Sequence, residues 1–221
     1  MDFADIARQI TISALPILIA IILHEVSHGF VAYKLGDDTA KVMGRLTLNP
    51  IAHIDIFGTI LMPFILILMH SPFVFGYAKP VPINPFNFKN PKRDMAISAA
   101  AGPLTNMGLA VISLLLLKYA LLPFTAIADQ DIVMRIFEPI KEMLLFSITI
   151  NVILASFNLI PVPPLDGGRV LMGLLSHKHA DALGRIEPYG MIVVLVLIMT
   201  GIANYIVLPL KLLFITLLNL L

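Results

Sequence analysis

Residues 16 to 33 read PILIAIILHEVSHGFVAY. The run is apolar enough to lie in lipid, yet it carries His24, Glu25 and His28 near its middle. An ionisable group at the centre of a membrane helix costs about 2.5–3.5 kcal/mol for Asp, Lys or Arg on an insertion scale, so such groups mark function by default. His24 and His28 are four apart, which places both imidazoles on one helical face about one turn from each other. Glu25 follows the first of them directly.

The rest of the chain agrees with a membrane setting. Of 221 residues, 58% are hydrophobic and 13% are charged, against about 25% charged in a typical soluble domain. The mean hydropathy of +0.93 points the same way. The net charge of +1 and the lack of a basic cluster with interleaved aromatics set nucleic acid aside as a partner. With no cysteine, there is no disulfide framework. The start, MDFADIARQI, is acidic and leads to no small-residue cleavage site, so it does not read as a signal peptide.

Along the chain a first span is expected over about residues 10 to 35, ending near Gly36. In the polar stretch that follows, KVMGRLTLNP (residues 41 to 50) has β-favouring residues and a terminal Asn-Pro, which predicts an extended strand. The apolar FGTILMPFILILMHSPFVF (57 to 75) is interrupted by Pro63 and Pro72. GYAKPVPINPFNFKNPKRD (76 to 94) is proline-rich and basic, an irregular connector. Further spans are expected at about 95 to 121 and 139 to 160, the latter broken by PVPPLDGGR. Two more apolar stretches, about 189 to 202 and 203 to 221, are separated by a weak GIAN turn. The expected fold is an all-α polytopic membrane protein with five to six transmembrane helices and a small β or re-entrant element near the active site. It forms one integral-membrane domain over 1–221, with a catalytic core over about 10–172 and C-terminal helices over about 185–221.

Charge supplies the orientation. Residues 34 to 56 carry Lys34, Lys41 and Arg45; 76 to 94 carry Lys79, Lys89, Lys92 and Arg93; 163 to 185 carry Arg169, Lys178 and Arg185. The loop 122 to 138 carries Asp129, Asp131 and Glu138 against Arg135. The positive-inside rule places the three basic regions in the cytoplasm. That requires residues 57 to 75 to enter and leave from one side, which is permitted where protein or a water cavity covers the backbone. The alternative is a short sixth span.

His24, Glu25 and His28 form the H-E-x-x-H arrangement in which two imidazoles grip one zinc ion and the Glu serves as base. The bland alternative is an accidental match, with both histidines merely hydrogen-bonded in a bundle. A catalytic zinc usually has three protein ligands and an open position. A downstream helical Glu is excluded, because no Glu occurs between Glu25 and Glu138. The extended pattern with a third His fails at Val31 and Lys34. Asp166, in NLIPVPPLDGGRV, is the best remaining candidate: Pro161, Pro163 and Pro164 break the helix before it, and Gly167 and Gly168 let the backbone turn. An ordinary helix-ending loop is the other reading. His53 and Asp55 form a spare ligand pair, a proton path or a loop-fixing hydrogen bond. Asn106 either touches substrate or bonds between helices. His70, His177 and His179 read as interfacial.

HEVSH in a first span, GRLTLNPIAHIDIFGT, GYAKPVPINP, AAAGPLTN and NLIPVPPLDGG, in this order, resemble the site-2 protease family of intramembrane zinc metalloproteases. The resemblance covers about residues 14 to 172. It implies that His24, His28 and Asp166 bind one zinc ion, that Glu25 is the catalytic base and that Asn158 helps to stabilise the oxyanion. It is a resemblance to a minimal member, without PDZ or regulatory domain. The implied activity is hydrolysis of peptide bonds within or near transmembrane segments of membrane proteins, as in regulated intramembrane proteolysis. The implied partners are a substrate transmembrane helix and the lipid bilayer; whether the chain forms a homo-oligomer is left open by the sequence. The implied location is the cell membrane, multi-pass, with the active site opening to the cytoplasm. A substrate helix must unwind before its carbonyls are accessible, and the 41 to 50 stretch is the expected edge for holding it extended. The rival functions are a non-proteolytic membrane scaffold and a metal-handling protein.

Overall fold

The computed structural model describes residues 3–69, 76–125 and 127–220. Among the described residues, three helices are long and apolar enough to cross a membrane: Arg8–Lys34, Pro91–Thr125 and Gln130–Asn158. Helix α1 is Phe3–Lys34. Gly36, at φ +112°, ends it, as glycine without a Cβ readily does. Helix α2, Met62–Leu68, follows a π-helical turn over Ile56–Leu61. Helix α3, Pro91–Leu115, begins with Pro at its first position, where no N–H is needed, and runs on through a π-helical turn over Leu116–Leu121. Helix α4 is Glu138–Asn158. After the break at residues 159–165 come α5 (Asp166–Leu174), α6 (His177–Gly184), α7 (Glu187–Met199) and α8 (Ile202–Leu220). Gly201, at φ +75°, makes the turn between α7 and α8, where the GIAN stretch predicts one.

Helix α3 is the hub, packing on α1, α4 and α5, while α8 packs on α4. Ala110, Leu114, Leu117 and Leu121 of α3 and its continuation meet Ile148 and Val152 of α4 and Phe214 of α8 in one buried cluster. Outward, Leu15, Ile19, Leu104, Ile112, Ile153 and Leu208 are exposed. An apolar face on this scale suits a hydrocarbon surround, since soluble monomers rarely expose large contiguous apolar patches.

The described residues contain no β-strand, so the strand expected over residues 41 to 50 does not form there. Thr39–Val42 make a helical turn, Gly44 takes φ +64°, and Arg45 N–H closes back onto Ala40 O at 2.8 Å. Local capping bonds have taken the first half of the candidate strand. Pro50–His53 form a 3₁₀ turn, leaving residues 45–49 as non-helical chain.

The ends of the 57 to 75 excursion meet. Tyr77 N–H donates to Gly58 O at 3.1 Å, and Thr59 Oγ1 donates to Tyr77 O at 2.9 Å. A Cβ on Gly58 would strike the Tyr77 ring. The six residues Ile56–Leu61 and the seven of Met62–Leu68 rise roughly 20 Å at about 1.5 Å each, short of a hydrocarbon core of about 30 Å. His70 and Pro72 lie outside the described residues.

The basic regions gather at one end of the bundle. Arg45 donates to Lys79 O at 2.8 Å, and Lys92 Nζ donates to Leu175 O. The buried Asp37 carboxylate receives Asn84 N–H and Asn87 Nδ2, both at 2.7 Å. Asp37 thereby ties the end of α1 to the connector that leads into α3.

Candidate active site

Helix α1 presents His24 and His28 on the face it turns to α3 and α5. Helix α3 can come this close because residue 102 is glycine: a Cβ there would overlap the rings of both histidines. The site is closed by the break after α4. Gly167 and Gly168, at the start of α5, lie so near the backbone of residues 159–163 that neither has room for a Cβ. That packing folds the first turn of α5 back toward α1 and delivers Asp166.

His24, His28 and Asp166 are 8%, 7% and 9% exposed. The two Nε2 atoms are 3.1 Å apart. Asp166 Oδ2 is 3.2 Å from His24 Nε2 and 3.3 Å from His28 Nε2. His28 Nδ1 donates to the backbone carbonyl of Ser98 at 2.7 Å. A carbonyl only accepts, so the ring proton of neutral His28 sits on Nδ1 and its Nε2 is a bare lone pair. Among the described residues Asp166 Oδ2 accepts no hydrogen bond, and a neutral His28 has no proton on Nε2 to give it. Buried acceptors left unpaired are costly, and these three converge on one point.

The three could hold one metal ion. Ligands at about 2.0–2.1 Å from a four-coordinate zinc, at the tetrahedral angle, stand roughly 3.3–3.4 Å from one another. The observed separations of 3.1, 3.2 and 3.3 Å fit that triangle. Two imidazoles and a carboxylate also leave the fourth position open, as catalytic sites require.

Glu25 is half-buried beside this group. Its Oε2 accepts the backbone N–H of Val81 at 2.9 Å, so the connector crosses α1 directly over the candidate base. Asn158 is the last residue of α4. Its Nδ2 donates to Leu154 O at 3.0 Å, one turn back along its own helix, and among the described residues its second amide proton has no partner. Asn106 bonds between helices: its Oδ1 lies 2.6 Å from His24 Nδ1, and its Nδ2 donates to Asn151 Oδ1 at 2.8 Å. Sequence reasoning left that amide open between substrate and helix contact.

The spare pair does not join the cluster. His53 Nε2 lies 2.8 Å from Thr47 O, and Asp55 Oδ1 accepts Phe57 N–H and Gly58 N–H, capping the π-helical turn. Both fix loops. His177 and His179 are exposed, and His179 Nδ1 bonds Ser176 Oγ at 2.8 Å.

Residues 12–201 match the profile of peptidase family M50. The chain is 38% identical over 195 residues to "Putative zinc metalloprotease YwhC" of Bacillus subtilis, covering 87% of this chain and 82% of that protein. It is 28% identical over 187 residues to "Putative zinc metalloprotease Rip2" of Mycolicibacterium smegmatis, covering 85% of this chain and 66% of that protein. It is 32% identical over 122 residues to "Putative zinc metalloprotease Rip3" of Mycobacterium tuberculosis, of which it spans 28%. No solved structure matches the chain. A profile match over most of the length, with a relative this similar over most of both chains, assigns the protein: it belongs to peptidase family M50, the site-2 proteases.

Proposed function

We propose that this chain is an intramembrane zinc metalloendopeptidase that cleaves membrane proteins within or near their transmembrane segments. His24, His28 and Asp166 hold one zinc ion and Glu25 is the general base. The observation that carries the reading is the triangle of His24 Nε2, His28 Nε2 and Asp166 Oδ2, with sides of 3.1 to 3.3 Å and an unpartnered carboxylate oxygen. The family membership and the names of the relatives agree with it.

Zinc bound there supplies an acidified water and polarises the scissile carbonyl. Glu25, adjacent to His24 in sequence but outside the ligand triangle, accepts the proton of the attacking water and returns it to the leaving amine. The Val81 N–H orients its carboxylate. The uncommitted amide proton of Asn158 is the candidate donor to the developing oxyanion. The substrate helix must unwind to present its carbonyl, and residues 45–49 are the proposed edge for it.

The site opens to the cytoplasmic end. The contact of Tyr77 with Gly58 and Thr59 supports a re-entrant excursion, which puts all three basic regions on one side as the charge bias requires. Residues 1–221 act as one integral-membrane domain.

Metal analysis of purified His24→Ala, His28→Ala and Asp166→Ala proteins tests the assignment. Each should lose most of its zinc, and with it cleavage of a transmembrane reporter. Full zinc occupancy in Asp166→Ala would remove Asp166 from the ligand set.

A further inference from the structure

Behind His24, on the side away from Asp166, lies a line of buried amides that the chemistry above does not use. Asn106 is fully buried and Asn151 is 1% exposed. Asn106 Oδ1 faces His24 Nδ1 at 2.6 Å. Asn106 Nδ2 donates to Ala20 O at 3.2 Å and to Asn151 Oδ1 at 2.8 Å. Asn151 Nδ2 in turn donates to Ser147 O at 2.9 Å.

The polarity of this line is dictated by its ends. Ala20 O and Ser147 O are backbone carbonyls, which only accept. Ser147 O draws the NH₂ of Asn151, which turns the Asn151 oxygen toward Asn106. Ala20 O and that oxygen together take both protons of Asn106 Nδ2, which turns Oδ1 toward His24. Rotating either amide by half a turn would set acceptor against acceptor in a buried site, so neither can flip alone. Among the described residues, the group that faces Asn106 Oδ1 is His24 Nδ1, which must then carry the ring proton.

We propose that Asn106, held by Asn151, is a positioning residue that assigns the ring proton of His24 to Nδ1 and so keeps Nε2 free for the metal. Ser98 O does the same for His28 directly; His24 needs a side chain for the task. The inference rests on the metal reading of the site. It differs from a merely structural helix contact, which any well-packed polar or apolar pair could supply. Partners of this kind, when removed, typically lower metal affinity about 10- to 100-fold.

The first test is nitrogen NMR of the metal-stripped wild-type protein with isotope-labelled histidine, at a pH where the rings are neutral. The His24 signal is assigned by its loss in His24→Ala. It should show the proton on Nδ1, and a proton on Nε2 would overturn the proposal whether or not any variant folds. The second test is zinc affinity by chelator competition. Asn106→Leu should weaken zinc about 10- to 100-fold, with a cooperative melt of the metal-free protein showing that the variant still folds. In metal-stripped Asn106→Leu the His24 ring proton should move at least in part to Nε2, a change that loss of a merely structural contact would not cause. Wild-type affinity in Asn106→Leu, or an unchanged His24 tautomer in that variant, would overturn it. A wild-type protein that takes up no zinc would instead count against the ligand assignment, and the His24 tautomer would still decide the role of Asn106.

Discussion

The backbone N–H of Val81 donates to Oε2 of Glu25 across 2.9 Å. Val81 stands between Pro80 and Pro82, neither of which has an N–H. The connector therefore offers a single donor over these three residues, and it is aimed at the proposed base. Hydrogen bonds to charged groups contribute about 1.5–3 kcal/mol. Val81→Pro should lower cleavage by about tenfold or more with zinc content unchanged. Val81→Ala, which keeps the N–H, should cleave faster than Val81→Pro. Equal rates in the two variants would show that the side chain and not the N–H matters.

Gly102 is where α3 touches both histidine rings. Gly102→Ala should therefore displace His24 or His28, reduce zinc binding and destabilise the fold by about 1–3 kcal/mol, the usual cost of overpacking. At Gly108, six residues along the same helix, a Cβ would meet nothing within 4 Å. Gly108→Ala should be neutral or stabilising by up to about 1 kcal/mol through helix propensity. Zinc titration and thermal melts of the two proteins give the comparison.

Asp37 makes a pH prediction outside the membrane spans. Burial pushes its carboxyl pKa up, but hydrogen bonds from Thr39, Asn84 and Asn87 outweigh this and hold it below the ordinary value of 3.8. A carboxylate depressed in the folded state stabilises the fold above its unfolded pKa, and that stabilisation is lost as pH falls through the folded pKa. The melting-temperature gap between wild type and Asp37→Asn should be constant near neutral pH and should narrow below about pH 4. A gap that widens on acidification would contradict this.

Much of the site was legible because its chemistry is local in sequence. The i, i+4 spacing of His24 and His28 places both rings on one face of any helix, and Asp166 stood out as an acid at the end of a proline-broken apolar run. The Gly167–Gly168 pair predicted a tight turn, and the structure packs both against the preceding backbone. Two features were not legible. The Val81 donor is a backbone group, which carries no residue signature. The Asn106–Asn151 bond joins helices whose relative rotation depends on packing across α1, α3 and α4. The expected strand failed for a local reason: β propensity over residues 41 to 44 lost to a capped helical turn at Thr39–Val42 and to Gly44 at φ +64°.

The meeting of Tyr77 with Gly58 and Thr59 predicts a labelling pattern. The chain has no native cysteine, so single cysteines replacing Lys41 and Lys89 are clean probes on either side of the excursion. Both should be protected from a membrane-impermeant thiol reagent in intact cells and both should label after lysis. Labelling of one without the other in intact cells would mean that residues 57 to 75 cross the bilayer.

The most direct test of zinc-dependent proteolysis with Glu25 as base is Glu25→Gln, assayed for cleavage of a transmembrane reporter in proteoliposomes with zinc measured on the same samples. The substitution preserves size and removes the proton acceptor, and Glu25 is outside the ligand triangle. Zinc content should equal wild type while the cleavage rate falls about 10²–10⁴-fold, the typical contribution of a positioned general base. Cleavage at the wild-type rate with zinc in place would contradict the proposed chemistry.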